Sequence, residues 1–368
     1  MTPATFVRPL LAAFVAGSLV AGVTGGLLRA GVAWVEPVSA AVFAHAAVAH
    51  AALMMSGFLG TVIAIERAVA VRLRWAFAAP FAAGVGGALL LAGRTDAAAW
   101  LGVAAALVFV GVNAVLVARQ RAAHTALLLV GAAAWLIGNL LFALRQPGAA
   151  VIPWWFAFLV LTIAAERLEM TRLMRRHAGA QPALLATLLA LLAGAGACAA
   201  WPVAGGVVFG VALAALAAWL GVFDIARRTA LAHGLSRYMA VCLLGGYAWL
   251  GAAGIAWAAT AMGYPARDAA LHALGLGFIV SMMMGHAPVI LPAVARVRLQ
   301  FGAWFYLPLV LLHASLLLRL GAGFANLELR AAGAALNAAV LVLFALTLVG
   351  SAIVWRVRSG RTLPREAT

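Results

Sequence analysis

Apolar residues run along this chain in long blocks, and short polar breaks separate the blocks. A helix needs about 20 apolar residues to cross the hydrocarbon core of a bilayer. Twelve blocks meet this requirement, and each predicts a transmembrane helix. Their approximate bounds are 7–28, 37–66, 76–93, 97–118, 124–144, 150–173, 182–203, 205–226, 238–261, 268–296, 302–320 and 332–355.

The pattern predicts an all-α, polytopic membrane bundle that forms a single transmembrane domain over residues 1–368. Loops are short, so consecutive helices should be antiparallel neighbours. The first block lacks a small-residue cleavage site followed by polar sequence, so we expect a retained helix and not a removed signal peptide. The lipid bilayer is the expected partner.

Composition supports a membrane protein, since 67% of residues are apolar and 9% are charged. Soluble domains carry roughly a quarter charged residues. The net charge of +16 comes from arginine, which clusters between apolar blocks, as membrane orientation requires. A phosphate-binding face is not indicated, and we expect no nucleic-acid partner. Cys198 and Cys242 lie in apolar blocks without a CxxC motif, so no disulfide framework or zinc ribbon is predicted.

Arginine placement predicts the orientation. With the N-terminus inside, nineteen arginines fall on the inner side and six on the outer side. Cytoplasmic segments are enriched in basic residues, so both termini are expected in the cytoplasm. The six outer arginines are Arg29, Arg94, Arg145, Arg267, Arg319 and Arg330.

An internal repeat is indicated at an offset of 100 residues. Residues 58–67 and 158–167 match at six of ten positions and end in Glu66-Arg67 and Glu166-Arg167. These acids are expected to pair with nearby arginines. The chain then divides into three four-helix repeats, 1–120, 121–230 and 231–368, although Ala295-Arg296 of helix 10 lacks the acid.

Histidine is the residue most indicative of function. His124, His177 and His233 lie near predicted loops and are interpreted as solvated. Five others lie within predicted helices 2, 10 and 11, where an ionisable side chain usually marks a functional site. The alternative is a packing role, with each ring bonded to a main-chain carbonyl. The five are His45, His50, His272, His286 and His313.

The spacing of these histidines limits which of them can share one metal site. His286 and His313 are expected at similar depth on neighbouring helices, and His50 could join them. His272 and His286 are 14 residues apart on one helix, about 21 Å, and cannot bind one metal. Either two sites exist or one of these histidines is structural.

Methionines accompany two of the histidines. Met54 follows His50 by four residues and Met282 precedes His286 by four, so each pair shares a helix face. Imidazole with thioether suits haem iron or Cu(I), which makes His50, His286, His313, Met54 and Met282 candidate metal ligands. Methionines at this spacing also serve as ordinary core filler.

Other residues add to this picture. Gly275, Gly277 and Gly285 would admit either a flat macrocycle or another helix. Asp268, next to His272, could be a proton-entry group, a partner of the imidazole or a helix N-cap. No acid lies in mid-membrane, which argues against a carboxylate-based proton- or sodium-coupled transporter.

Residues 45–61 and 268–288, which hold four of the histidines, resemble a group of bacterial membrane proteins similar to the NnrS proteins of denitrifying bacteria. More distantly, the plan is similar to the catalytic subunits of haem-copper oxidases and nitric oxide reductases. The resemblance implies twelve helices in three groups of four, haem b and copper, and nitric oxide handling in a bacterial inner membrane, with a quinol or cytochrome as electron donor.

The resemblance also implies site residues. His50 or His45 and His272 or His286 would be axial haem ligands, with His313 a further ligand. The oxidases hold copper with histidines of helices 6 and 7, whereas helices 6 and 7 of this chain contain no histidine. The two helix 10 histidines of the oxidases are close together, whereas His272 and His286 are 14 residues apart. An oxygen-reducing centre of that kind is therefore not expected.

Three hypotheses follow. The first is a haem-binding, copper-binding protein that handles nitric oxide, as a reductase-like oxidoreductase, or transfers electrons. The second is a non-redox transporter or copper carrier that uses the His/Met pairs. The third is a structural or sensory membrane protein.

Overall fold

The computed structural model describes residues 3–32, 40–170 and 179–361, and these contain helices and no strands. Twelve helices or helix runs among them are long and apolar enough to cross a membrane. The predicted all-α polytopic bundle is confirmed, and the chain is a multi-pass membrane protein. We number the spans 1 to 12: Pro9–Arg29, Ala41–Val71, Arg74–Leu91, Thr95–Arg119, Ala123–Ala143, Gly148–Met170, Ala180–Ala197, Pro202–Phe223, Gly234–Ala261, Arg267–Ala295, Ala303–Phe324 and Leu327–Ser359.

Eight spans are single α-helices, with bounds Pro3–Arg29, Thr95–Arg119, Ala123–Ala143, Gly148–Met170, Ala180–Ala197, Pro202–Phe223, Gly234–Ala261 and Leu327–Arg361. Spans 3 and 11 begin with short 3₁₀ turns and continue as Ala78–Leu91 and Tyr306–Leu320. Spans 2 and 10 are interrupted by π-helix: Ala40–Ala52, π Leu53–Gly60 and Thr61–Val71, then Arg267–His272, π Ala273–Val280 and Ser281–Ala295. A short helix, Ala226–Thr229, precedes span 9.

The turn between spans 7 and 8 lies earlier than predicted. Span 7 ends at Ala197 and span 8 begins at Pro202, which occupies the first helical position. Proline is favoured there because its missing N–H group would have no intrahelical partner. Apolar residues continue through this turn, so hydropathy alone could not locate it.

Some predictions fall outside the described residues. These are the start of helix 2 and the end of helix 6, together with Arg172, Arg175, Arg176, His177 and Arg365.

The chain divides into two compact units. The first comprises Met1–Leu213 and Trp257–Pro265 and contains spans 1 to 7. Its core includes a fully buried aromatic group in which Trp135 stacks on Phe158 at 5.2 Å and meets Phe109 edge-on. Because lipid is as apolar as these side chains, close van der Waals packing, not exclusion from water, holds the spans together.

The second unit comprises Ala214–Ala256 and Ala266–Thr368 and contains most of span 9 with spans 10 to 12. Tyr238, Met284, Phe305 and Leu312 lie at the centre of its apolar core. Gly277 of span 10 faces Trp249, and Gly285 faces Cys242. A Cβ added at Gly277 would lie 2.5 Å from the Trp249 side chain, and one at Gly285 would lie 3.0 Å from the Cys242 side chain. These two glycines therefore admit a neighbouring helix, one of the two roles predicted for them.

Candidate functional site

His45 and His50 lie in the first unit, each bonded to a main-chain carbonyl. The carbonyl of Leu91 accepts from Nδ1–H of His45 at 3.1 Å, and that of Gly22 accepts from Nδ1–H of His50 at 2.6 Å. A carbonyl only accepts, so in the neutral ring Nδ1 carries the proton and Nε2 the lone pair. A carbonyl bond of this kind is the contact expected for the packing role. It also sets the tautomer in which a histidine binds a metal through Nε2 while its other nitrogen is held by the protein.

Glycines of span 1 make room for the side chains of span 2. A Cβ on Gly26 would lie 2.8 Å from Cε1 of His50, and one on Gly22 would lie 2.6 Å from the sulfur of Met54. His50 and Met54 therefore pack on the same glycine-rich face. His45 packs likewise against Gly93, which has a positive φ of 73°.

His286 in the second unit has the same tautomer. Its Nδ1–H donates to the carbonyl of Met282 at 2.7 Å, one turn earlier in span 10. Met282 is buried, and its methyl group lies against Gly246 of span 9.

His272 belongs to a partly buried polar network. Its Nδ1 lies 2.9 Å from a carboxylate oxygen of Asp268, which is thus a partner of the imidazole, one of the roles predicted for it. Arg319 donates twice to the same carboxylate, at 3.0 and 2.8 Å, and its Nη2 lies 3.2 Å from Nε2 of His272. A guanidinium at that distance disfavours a metal cation on this nitrogen.

The network extends from Arg319 into span 12. Asn337 accepts from Arg319 at 3.5 Å and donates to Ser315 at 2.7 Å. Arg319, Ser315 and Asn337 are each buried. Sequence reasoning missed all three, because Arg319 was predicted only as an outer-side arginine at the end of helix 11. An asparagine inside a long apolar block was the available signal.

His313 has the opposite arrangement of donors and acceptors. Trp249 donates to its Nδ1 at 2.8 Å, so the proton of the neutral ring is on Nε2. Nε2 is buried without a hydrogen-bond partner and faces Gly245. Metal binding through Nε2 would require the ring to give up the bond to Trp249.

The remaining charged residues lie near span ends. Arg67 donates to Glu166 at 2.7 Å and lies 3.3 Å from Glu66, so the predicted pairing of these acids with arginine is confirmed. His233 is exposed as predicted. The prediction of a solvated His124 is wrong, because this side chain is buried. Its Nε2 lies 3.8 Å from a carboxylate oxygen of Glu169, since His124 lies in the first turn of span 5 and packs inside the bundle.

Among residues 3–32, 40–170 and 179–361, no three or more His, Cys, Asp or Glu side chains group closely enough to hold a metal ion. The described histidines are therefore not part of a three-ligand site built from these residue types. One or two imidazoles suffice for an iron already held by a porphyrin.

The two π-helices have matching features. Each is eight residues long and contains a Gly-Phe pair, Gly57-Phe58 and Gly277-Phe278, 220 residues apart. Each is followed by a buried hydroxyl without a hydrogen-bond partner, on Thr61 or Ser281. π-Helical turns inside α-helices frequently occur at functional sites.

Comparison with known proteins gives a family. A family model described as "Domain of unknown function (DUF8744)" matches residues 8–353. No curated protein and no solved structure matches the chain. The match covers nearly the whole chain, which therefore belongs to the DUF8744 family.

Proposed function

We propose that this multi-pass membrane protein binds haem b and handles nitric oxide or transfers electrons. The observation that supports the proposal best is the tautomer shared by His45, His50 and His286. In all three, a carbonyl holds Nδ1–H and the lone pair is on Nε2. The resemblance of residues 45–61 and 268–288 to NnrS-like proteins points to the same cofactor.

The donor set suits haem better than a protein-bound copper ion. The described His, Cys, Asp and Glu side chains form no group of three, so a copper site with three ligands of these types is not indicated. His50 would hold haem in the first unit, with His45 its alternative, and His286 in the second. Haem would supply an iron that binds nitric oxide and exchanges single electrons. The chain's own contribution is to fix each ring through Nδ1.

The contacts of His272 and His313 favour other roles. His272 is held between Asp268 and Arg319, and His313 accepts from Trp249. His50 and His286 would therefore hold the haem iron in preference to these two.

The visible spectrum of the detergent-purified protein, oxidised and reduced, tests haem binding. We expect a Soret band with sharp α and β bands on reduction. His50→Ala and His286→Ala should each weaken or shift these bands, whereas exposed His233→Ala, the matched control, should not. A colourless protein after expression with ample haem would refute the proposal.

A specific observation favours a second candidate, a Cu(I) carrier. His50 and Met54 lie together against Gly22 and Gly26, so a nitrogen and a soft sulfur donor share one face. Metal analysis of the same sample distinguishes the two functions. A sample that contains copper and shows no haem bands would support the carrier if Met54→Leu removes the copper.

We place the chain in the bacterial inner membrane with both termini in the cytoplasm, because arginines concentrate on that side. A cysteine-free variant carrying either Gln120→Cys or Gln146→Cys tests this in intact cells. An impermeant maleimide should label position 146 from outside and leave position 120 unlabelled. The reverse labelling pattern would show that the proposed orientation is wrong, and it would leave the haem proposal unaffected.

A further inference from the structure

We propose that the first unit contains a binding site for one small uncharged molecule, either water or a diatomic gas of similar size. The site is a cavity among spans 2 to 6, next to the π-helix of span 2. Ser56, Asn139 and Trp155 form its polar wall, while glycines and alanines, including Gly86 and Gly102, form most of the remainder. It contains none of the histidines discussed above, so it stands independently of haem.

The polar wall is a connected network of hydrogen bonds. Asn139 is 2% exposed, and its carbonyl oxygen accepts from the Ser56 hydroxyl and from the Trp155 indole, both at 2.9 Å. Trp135 donates to Ser56 at 3.2 Å. One N–H of Asn139 donates to the carbonyl of Gly102 at 3.0 Å. Four spans, numbers 2, 4, 5 and 6, thus hold one amide in a single orientation.

This network leaves hydrogen-bonding capacity in the cavity wall. A side-chain amide has two N–H donors, and that of Asn139 uses one. The Ser56 oxygen donates once and accepts once, so one lone pair remains. A buried polar group without a partner is costly, which favours an occupant that accepts from Asn139.

The size of the cavity and the absence of charge in its lining limit which molecules can occupy it. The cavity volume is about 20 Å³, room for one water-sized molecule. No ionisable side chain lines it, so an ion would lose its hydration without compensation. Water would both accept from Asn139 and donate to Ser56, whereas a diatomic gas would accept from Asn139 and lie against the apolar wall.

Crystals of the full chain, before and after pressurisation with oxygen, test the site and separate the two occupants. Density for one ordered molecule between Asn139 and Ser56, unchanged by oxygen, identifies water. Elongated density for a diatomic molecule that appears only under oxygen identifies a gas-accessible site. Absence of both would overturn the proposal.

Gly102→Ala is the matched variant. Its Cβ would lie 3.7 Å from Nδ2 of Asn139, an ordinary contact that fills the cavity without a clash. Both densities should disappear. Gly17→Ala is the control, because a Cβ at this lipid-facing position has no atom within 4 Å. If the cavity is occupied, Gly102→Ala leaves the second N–H of Asn139 without a partner and should melt a few degrees below this control. Melting above that control would indicate an empty cavity and overturn the proposal.

Discussion

The ion pair between Asp268 and Arg319 gives the sharpest stability prediction. Arg319 is buried and donates two hydrogen bonds to Asp268, while 27% of the Asp268 side chain is exposed. Removing one partner of a buried pair costs about 3–5 kcal/mol, because the other charge is left uncompensated. Partial exposure of Asp268 reduces this through solvent screening, so we expect Arg319→Met to cost about 2–4 kcal/mol.

A double-mutant cycle isolates the interaction from the effect of each side chain. Asp268→Asn with Arg319→Met removes both charges, so the double variant should be more stable than the sum of the single losses implies. We expect a coupling of about 1–3 kcal/mol. The free energy of unfolding is measured by titrating SDS into mixed micelles, with far-UV circular dichroism as the signal.

The chain provides its own control pair. Arg145 donates to Asp96 at 2.6 Å, but the two side chains are 77% and 66% exposed. Removing Arg145 should cost about 1 kcal/mol or less, since exposed ion pairs contribute little. The reasoning is refuted if Arg319→Met costs no more than Arg145→Met, or if the cycle shows no coupling.

Three further predictions follow from the contacts. Gly26→Ala should displace the His50 ring, lower the melting temperature by a few degrees and shift the reduced α band; an unchanged band would separate the ring position from haem. Burial raises the pKa of the Cys198 thiol, which with buried Cys242 should react with maleimide only after SDS denaturation, and fast native labelling would contradict this packing. Trp249→Phe removes the donor to His313 and should lower stability without altering the haem spectrum, whereas a spectral change would make His313 a ligand.

Hydropathy predicted the membrane spans well because a bilayer imposes a fixed apolar length on every helix. It could not predict contacts, since the residues flanking His50 and His286 are apolar on every side and carry little facial information. The tautomers depend on which carbonyl lies opposite each ring. The burial of Arg319 escaped prediction for a related reason: an arginine near a span end looks the same whether it faces water or a partly buried carboxylate.

The internal repeat shows what structure adds to a sequence comparison. The sequence match ends at Glu66-Arg67 and Glu166-Arg167, and a third copy that ends at Ala295-Arg296 lacks the acid. Aligning the two π-helices instead relates residues 220 apart, because the Gly-Phe pairs and the buried hydroxyls then coincide.

The same offset relates Gly25-Gly26 of span 1 to Gly245-Gly246 of span 9. Each glycine pair accepts a histidine ring at one of its members, Gly26 for His50 and Gly245 for His313. In this alignment His286 occupies the position of Glu66, so the third copy carries an imidazole in place of the acid. The three four-helix repeats stay a prediction. The alignment nevertheless explains why an acid was absent at Ala295: the equivalent position lies earlier in span 10 and holds a histidine.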